Sequence, residues 1–485
     1  MSSPPVSSPP VSSPVTGESP VATRDWVGPI LLLALVLVGR LVLAGTTGIV
    51  EDEAYYWTWS ERLAAGYYDH APGIAWVIAP FAKLFGATSL GVRAGPVLAG
   101  TLAVAALLPF ARDRWLLVLI LASMPLYTLG GVLATPDAPM LAGWALALAG
   151  AYRGNWLLAG VGAGLAGLCK YTGWGIWPLL FLGAPRQWRA MLPGVAVTLG
   201  LLAPNLLWNA QHDWISVRFQ LGHGLGSGVI GAGGVTGATS STAPGVLGAL
   251  EFVGAQAGLV SPVLFGAAIG FWTKGWRGDA TDRLSWWTSL PVVAFFTLAA
   301  MLARGEPNWA APAWLGVAVG LSRATGRVRR AAWLGAGFGA VLSALVAVHL
   351  YMPLVDFPRD PTARLGVGRD LAESVQAWGI EPVYTERYQE AALIRYYEGL
   401  ETYALPGVAR ADQYDLWPTR WAESALFVRR ARGGDTLPTD RFCADRGSSN
   451  VVSERDIDGA PIERWQVVPV RGCGPRRSAA EEAPK

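Results

Sequence analysis

The sequence predicts an all-α polytopic membrane protein of about eleven transmembrane helices, closed by a small C-terminal α/β domain. Three observations carry this. Of 485 residues, 52% are hydrophobic and only 15% are charged, against roughly 25% charged in ordinary soluble domains. The mean hydropathy is positive, +0.34. The apolar residues fall into long runs separated by basic or Gly/Pro-rich breaks, the pattern of helices that cross a bilayer rather than of a soluble core.

Taken in order, residues 1–22 repeat a Ser/Pro/Val unit. That composition cannot bury a core and predicts a disordered tail, with no basic n-region of a signal peptide. The first span runs from Trp26 to Ala44, with Arg40 near its far end, either snorkelling or pairing with the acidic loop that follows. That loop reads Glu51-Asp52-Glu53-Ala54-Tyr55-Tyr56-Trp57 and closes with Tyr67-Tyr68-Asp69-His70-Ala71-Pro72. Ile74 to Phe85 is too short to cross and suits an interfacial or re-entrant helix. Further spans are expected at Leu90–Phe110, Trp115–Leu133 and Met140–Tyr152, the last opening within Thr135-Pro136-Asp137-Ala138-Pro139. Two half-length runs, Trp156–Leu168 and Gly173–Leu182, flank Cys169-Lys170-Tyr171-Thr172. A charge between two short helices predicts a discontinuous pair that presents Lys170 to a polar cavity. After a span at Met191–Trp208 comes a Gly-rich stretch, 209–245, expected to be a mobile loop or lid. The remaining spans are 247–272, 285–303, 308–322 and 331–351.

With the N-terminus in the cytoplasm, one side of these spans collects Arg24, Arg112, Arg114, Arg153, Arg186, Arg189, Lys274, Arg277, Arg283 and the Arg323–Arg330 cluster. Fewer basic residues (Arg62, Lys83, Lys170, Arg218, Arg304) fall on the other side, so the positive-inside rule supports this orientation. The tail, 352–475, then lies outside the cytoplasm, with a helix at Leu371–Trp378, strands at Pro382–Thr385, Ala425–Val428 and Trp465–Val470, and a disordered end, 476–485. The membrane part is 23–351. Of the three cysteines, Cys443 and Cys473 could pair in an oxidising compartment or remain free thiols. No basic cluster with interleaved aromatics is present, so no nucleic-acid partner is expected.

On this topology the unusual polar residues share one face: Asp52, Glu53, Asp69 and His70, then Asp137, Lys170, Arg304 and Glu306. The motifs quoted above, with Lys170-Tyr171-Thr172 and Pro307-Asn308-Trp309, resemble the GT-C superfamily of polyprenyl-phosphate-sugar-dependent glycosyltransferases. The chain looks most like the bacterial branch (glycosyltransferase family 39 type) that includes protein O-mannosyltransferases, the lipid A aminoarabinose transferase and rhizobial lipopolysaccharide galacturonosyltransferases. The resemblance covers about residues 26–351, and Tyr384–Tyr397 and Asp412–Trp417 also look like the tail of this branch. Position 71 is Ala where relatives commonly have Pro, a change of loop shape rather than of chemistry.

The resemblance implies transfer of a sugar, with inversion, from a polyprenyl-phosphate donor to an acceptor hydroxyl. The acceptor is a glycolipid, a polysaccharide or a protein. Phosphate already leaves well, but the hydroxyl needs a base, and a partly desolvated carboxylate can serve. Asp52 is the candidate, or else an N-cap for the Tyr55–Leu63 helix. Glu53 could orient Asp52, help bind a divalent metal, or form an ion pair. Asp137 could position the acceptor, share in a metal or base site, or cap a helix. Lys170, Arg304 and Arg93 are the candidate cations for the donor phosphate. Glu53, Asp69 and His70 form a weak candidate metal set; no cofactor is otherwise required. Tyr55, Tyr56, Trp57, Tyr68, His70, Tyr171, Glu306, Asn308 and Trp309 are candidate substrate contacts. Competing readings are a secondary transporter of lipid or sugar, and a membrane anchor with a dead site.

Overall fold

A computed structural model describes residues 24–225, 245–302, 305–352, 354, 365–431, 438–457 and 460–475. The Ser/Pro-rich start, the far end, residues 226–244 of the Gly-rich stretch and Arg304 lie outside the described residues. The membrane part contains α1 (Arg24–Thr46), α2 (Glu51–Ser60), α3 (Gly73–Phe85), α4 (Ser89–Leu107), α5 (Arg114–Ser123), α6 (Pro125–Leu129), α7 (Asp137–Tyr152), α8 (Trp156–Cys169), α9 (Ile176–Gly183) and α10 (Trp188–Gln211). It continues with α11 (Ile215–Leu225), α12 (Val246–Val260), α13 (Pro262–Trp272), α14 (Ala280–Trp287), α15 (Leu290–Leu302), α16 (Ala311–Arg323) and α17 (Gly326–Tyr351).

Among the described residues, five helices are long and apolar enough to cross a membrane, or six if one bent pair counts as a span. The chain is a multi-pass membrane protein. Several expected spans are broken. Trp115–Leu133 divides at Met124, because Pro125 cannot donate within a continuous helix. The expected span 247–272 bends by 108° between α12 and α13. There Pro262 disfavours a helical Ser261, which stands at φ 84°, and the Ser261 hydroxyl restarts the helix by accepting the Leu264 N–H. The Gly-rich stretch is not all loop. Its first part is the end of α10 and then α11.

The expected discontinuous pair is present. α8 stops at Cys169, Lys170 is extended (φ −150°, ψ 132°), and a 3₁₀ turn, Tyr171–Gly175, leads into α9. α7 and α8 pack at backbone contact. A Cβ on Gly143 would lie 2.5 Å from the Ala166 nitrogen, and one on Gly162 would lie 2.3 Å from the Ala147 nitrogen. Small residues permit that approach, as in membrane helix pairs generally.

The tail has α18 (Arg369–Gln376), α19 (Tyr388–Glu398) and α20 (Gln413–Leu416) around a sheet of β1 (Val383–Thr385), β2 (Thr402–Ala404), β3 (Ser424–Arg430), β4 (Asp445–Arg446), β5 (Asn450–Ile457) and β6 (Ala460–Arg471). Its order is β2-β1-β3-β6-β4, with β5 on β6; β1 is parallel to β2 and β3, and the other pairs are antiparallel. The three strands expected from sequence are β1, β3 and β6. Cys443 and Cys473 are disulfide-bonded. α19 lies against α2: Tyr55, Trp57, Tyr388, Ala392 and Tyr396 share one buried cluster, so the tail forms one wall of the acidic loop.

Candidate active site

α2 begins at Glu51, so Asp52 sits inside its first turn rather than at its N-cap. Carboxylates are favoured there by the helix dipole. The three acidic residues separate sharply. Asp52 alone is exposed; Glu51 and Glu53 are buried. One Asp52 oxygen, Oδ1, accepts a hydrogen bond from the Tyr388 hydroxyl at 3.0 Å. The carboxyl is open to solvent along one side yet crowded by protein. That desolvation raises its pKa above the ordinary value, opposed by the Tyr388 hydrogen bond and helped by Glu51.

Glu53 is 1% exposed and fully engaged. It accepts from Arg93 Nε at 2.7 Å and Nη2 at 2.6 Å, and from the Val50 and Ala134 N–H groups at 3.0 and 2.7 Å. Arg93, wholly buried, spends its remaining donors on the Ala44, Thr47 and Gly48 carbonyls and the Thr47 hydroxyl. Two expectations are therefore corrected. Arg93 has no donor left for a phosphate, and Glu53 has no free lone pair facing a metal or substrate. The pair ties α2, α4 and the turn before α7 together.

Asp137 opens α7 and Lys170 follows α8. Because these helices run antiparallel, the two residues meet at the same end. Lys170 Nζ donates to Asp137 Oδ1 at 2.7 Å, and Asn308 Nδ2 donates to Oδ2 at 3.0 Å. Lys170 and Asp137 retain 13% and 12% side-chain exposure, so neither is sealed from its surroundings. The structure thus brings Asp137, Lys170 and Asn308 together, while Arg304, the other expected member, lies outside the described residues.

Asp69 faces the tail. Its Oδ2 accepts from the Tyr55 hydroxyl and its Oδ1 from Arg410 Nη1, each at 2.7 Å. Arg410 lies over the rings of Tyr388 and Phe219 at 5.0 and 4.9 Å. Burial works against the Arg410 charge, but Asp69 and the Tyr388 hydroxyl outweigh it and push the pKa up. Among the described residues no three His, Cys, Asp or Glu side chains stand together, so the expected Glu53–Asp69–His70 metal set does not assemble. Glu53 is sealed by Arg93, and Asp69 by Arg410 and Tyr55.

The other candidate contacts divide. Tyr55 is buried, accepts the Gln413 N–H and packs on Tyr388 at 4.2 Å. Trp57 is buried edge-on against Tyr396. Both hold the tail and are removed from the substrate set. The Tyr171 hydroxyl accepts from Asn209 Nδ2 of α10 at 3.1 Å. Tyr68 packs on Phe219, His70 meets Gln220 at 3.2 Å, and Trp309 lies against Phe296. Glu306 is exposed at the start of the turn that carries Asn308. Sequence reasoning missed Tyr388, Arg410 and Gln413 as site residues. Tyr388 lies in a tail segment already singled out by resemblance; Arg410 sits in an irregular loop with no local signal.

Residues 69–208 match the dolichyl-phosphate-mannose-protein mannosyltransferase family. The matched stretch includes Asp69, Asp137 and Lys170, while Asp52 lies ahead of it. Lipid A galacturonosyltransferase RgtD of Rhizobium johnstonii is 31% identical over 294 residues, 56% of this chain and 59% of the relative. The chain therefore matches less than two thirds of that relative's length. The fold is that of ArnT from Cupriavidus metallidurans. The apo structure gives a TM-score of 0.61 at 16% identity, over 94% of this chain and 99% of that one. The structure bound to undecaprenyl phosphate gives 0.60 at 16% identity, over 96% and 100%.

Proposed function

We propose that this chain is an integral-membrane glycosyltransferase. It moves a sugar from a polyprenyl-phosphate donor to an acceptor hydroxyl of a cell-envelope glycolipid or polysaccharide, with inversion, on the outer face of the membrane. The observation that carries the reading is Asp52, an exposed carboxylate in the first turn of α2 held through one oxygen by Tyr388; the Lys170–Asp137–Asn308 cluster supplies a paired cation. In this reading Asp52 removes the acceptor proton as the hydroxyl oxygen bonds to the anomeric carbon. The bond from that carbon to the phosphate oxygen breaks on the opposite face, and the lipid phosphate leaves with the electron pair. Lys170, steadied by Asp137, offers its remaining N–H groups to that phosphate.

The relative named as a lipid A galacturonosyltransferase favours a glycolipid acceptor. The fold neighbour bound to undecaprenyl phosphate favours that carrier class. We place the N-terminus in the cytoplasm, count about eleven crossings with several of them broken, and put 352–475 outside. The Cys443–Cys473 disulfide supports an oxidising compartment for that domain. The family match over 69–208 keeps a protein acceptor as the second reading.

Asp52→Asn preserves shape and one acceptor oxygen but removes the base. Transfer by the purified enzyme from lipid-linked sugars should fall by about two to four orders of magnitude, with donor binding retained. Wild-type turnover in this variant would remove Asp52 from the role. Solute movement without consumption of the lipid-linked sugar would point to a transporter instead. Mass spectrometry of envelope glycolipids and glycoproteins after deletion separates the two acceptor readings.

A further inference from the structure

Arg410 lies in the irregular stretch between β2 and α20, and contacts from three other parts of the chain fix its side chain. Its Nη1 donates to Asp69 Oδ1 at 2.7 Å. Its guanidinium centre stands 4.9 Å from the Phe219 ring of α11 and 5.0 Å from the Tyr388 ring of α19. A planar guanidinium can lie against rings and still use its edge on a carboxylate, which an ammonium cannot. Asp69 is held in turn by the Tyr55 hydroxyl, and Tyr55 packs on Tyr388. Tyr55, Asp69, Arg410 and Tyr388 therefore form one closed group between the acidic loop and the tail. An ion pair with Asp69 alone would dock the tail. The stacking on Tyr388 goes beyond what docking requires.

Tyr388 links this group to Asp52, because its hydroxyl donates to Asp52 Oδ1 at 3.0 Å. Burial and then the Asp52 charge push the Tyr388 pKa well above its ordinary value, so the phenol keeps its hydrogen. The same hydroxyl interacts with Arg410. A phenol donates and accepts, whereas a guanidinium only donates. The hydroxyl can therefore meet Arg410 only with its oxygen, which leaves its hydrogen for Asp52.

We propose that Arg410 is a positioning residue for the base: pinned by Asp69 and stacked on Tyr388, it sets the Tyr388 hydroxyl so that its hydrogen stays on Asp52. This rests on the role given to Asp52 under Proposed function. A loop of the tail then acts on the base of the membrane part through Tyr388. The charged and titratable groups that bear on Asp52 are Glu51 of α2, Asp69 of the loop, and Tyr388 and Arg410 of the tail; the Tyr56 phenol in turn feels the Asp52 charge. Burial raises the Asp52 pKa most; Tyr388 and Arg410 oppose it, and Glu51 and Asp69 add to it. Releasing the hydroxyl should raise it further.

Infrared difference spectra follow the Asp52 carboxyl through a pH titration. They use the full-length protein in phosphatidylcholine nanodiscs, with isotope-labelled aspartate and the Asp52→Asn spectrum subtracted. Arg410→Gln should raise the Asp52 midpoint by about one pH unit, the size of one hydrogen bond to a charged group. In a Tyr388→Phe background the same substitution should move it much less, because the hydroxyl through which Arg410 acts is gone. Arg410→Lys keeps the charge but not the plane, and its shift should depend on Tyr388 in the same way. In transfer assays Arg410→Gln should lose about tenfold on the acidic side and recover as the pH is raised. An unmoved Asp52 midpoint in Arg410→Gln overturns the proposal. Equal shifts in the two backgrounds also overturn it, since Arg410 would then act by charge alone. If Arg410→Gln fails to fold, an unmoved midpoint in Arg410→Lys is the overturning result. Normal transfer by Asp52→Asn would remove the base reading itself, whereas the titration needs no substrate and decides the Arg410–Tyr388–Asp52 linkage on its own.

Discussion

At Asp52 the hydrogen bond from Tyr388 acts on both geometry and charge. It fixes one carboxylate oxygen, and it lowers a pKa that burial has raised. A base works only when deprotonated, so its activity is lost as the pH falls through its pKa. Tyr388→Phe keeps the ring packed on Tyr55 but removes the hydroxyl. The Asp52 pKa should then rise further, and the acidic limb of the pH–kcat/KM profile should move to higher pH. On the acidic side, transfer should drop roughly threefold to tenfold, the worth of one hydrogen bond to a charged group, and recover as the pH is raised. A uniform loss at every pH would mean that Tyr388 serves the fold alone. The same scale explains what was legible in the acidic loop. Three adjacent carboxylates beside a span announce a site, but not which of them faces it. Arg93, 40 residues from Glu53, closes one of them, and spacing along the chain does not encode that partner.

At the scale of elements, α7 and α8 set the distance between Asp137 and Lys170. Their start and stop are local events: Pro136 and Pro139 open one helix, and the extended Lys170 ends the other. Both breaks were legible in the sequence, as was the half-length character of α8 and α9. The lateral contact was not, because Asn308 reaches Asp137 from 171 residues away. The bend at Ser261 escaped for a related reason: its neighbours are apolar on both sides, so hydropathy runs straight through it. The α7–α8 contact depends on missing side chains. Gly162→Val would bring a Cβ to 2.3 Å from the Ala147 nitrogen and 2.6 Å from the Gly143 carbonyl oxygen, so the helices must part. The cost should be about 1–3 kcal/mol, read as a lower Tm. Transfer should fall with it as Lys170 withdraws from Asp137. Gly200→Ala, on α10 where a Cβ meets nothing within 4 Å, should leave both unchanged. A Gly162→Val enzyme with normal Tm and turnover would show that the helices have slack the packing does not suggest.

Across the whole molecule, the tail docks on the acidic loop through buried charge. Arg430 of β3 reaches Glu51 of α2, and also Glu390 and Glu463, at 3.5, 3.4 and 3.0 Å. Arg410 reaches Asp69, and Gln413 accepts the Tyr68 N–H. Two carboxyls in this interface stay protonated unusually far up the pH scale. Asp412 is pushed from 3.8 up to about 8 by burial and then by Asp69, with Asp415 adding and Arg410 opposing. Glu390 is pushed up to about 7 by burial, with Arg430 and Arg387 opposing and Glu386 adding. In each case the folded state holds a proton that the unfolded chain has already shed. Their contribution to stability is therefore whole below about pH 4 and is lost as the pH climbs through 7 and then 8. Asp412→Asn separates this from general alkaline loss. Asp412 Oδ1 accepts the Tyr414 N–H, and its own N–H donates to Asp415, so Asn keeps the cap and cannot ionise. Thermal unfolding of the full-length protein at pH 6, 7.5 and 9 should show wild-type stability falling across the series. The variant should fall less, leading the wild type by a few degrees in Tm at pH 9, with the slope that remains coming from Glu390. Parallel curves for the two proteins would mean that Asp412 ionises without loosening the tail, and that the interface with α2 is held by Arg410 and Arg430 whatever the pH.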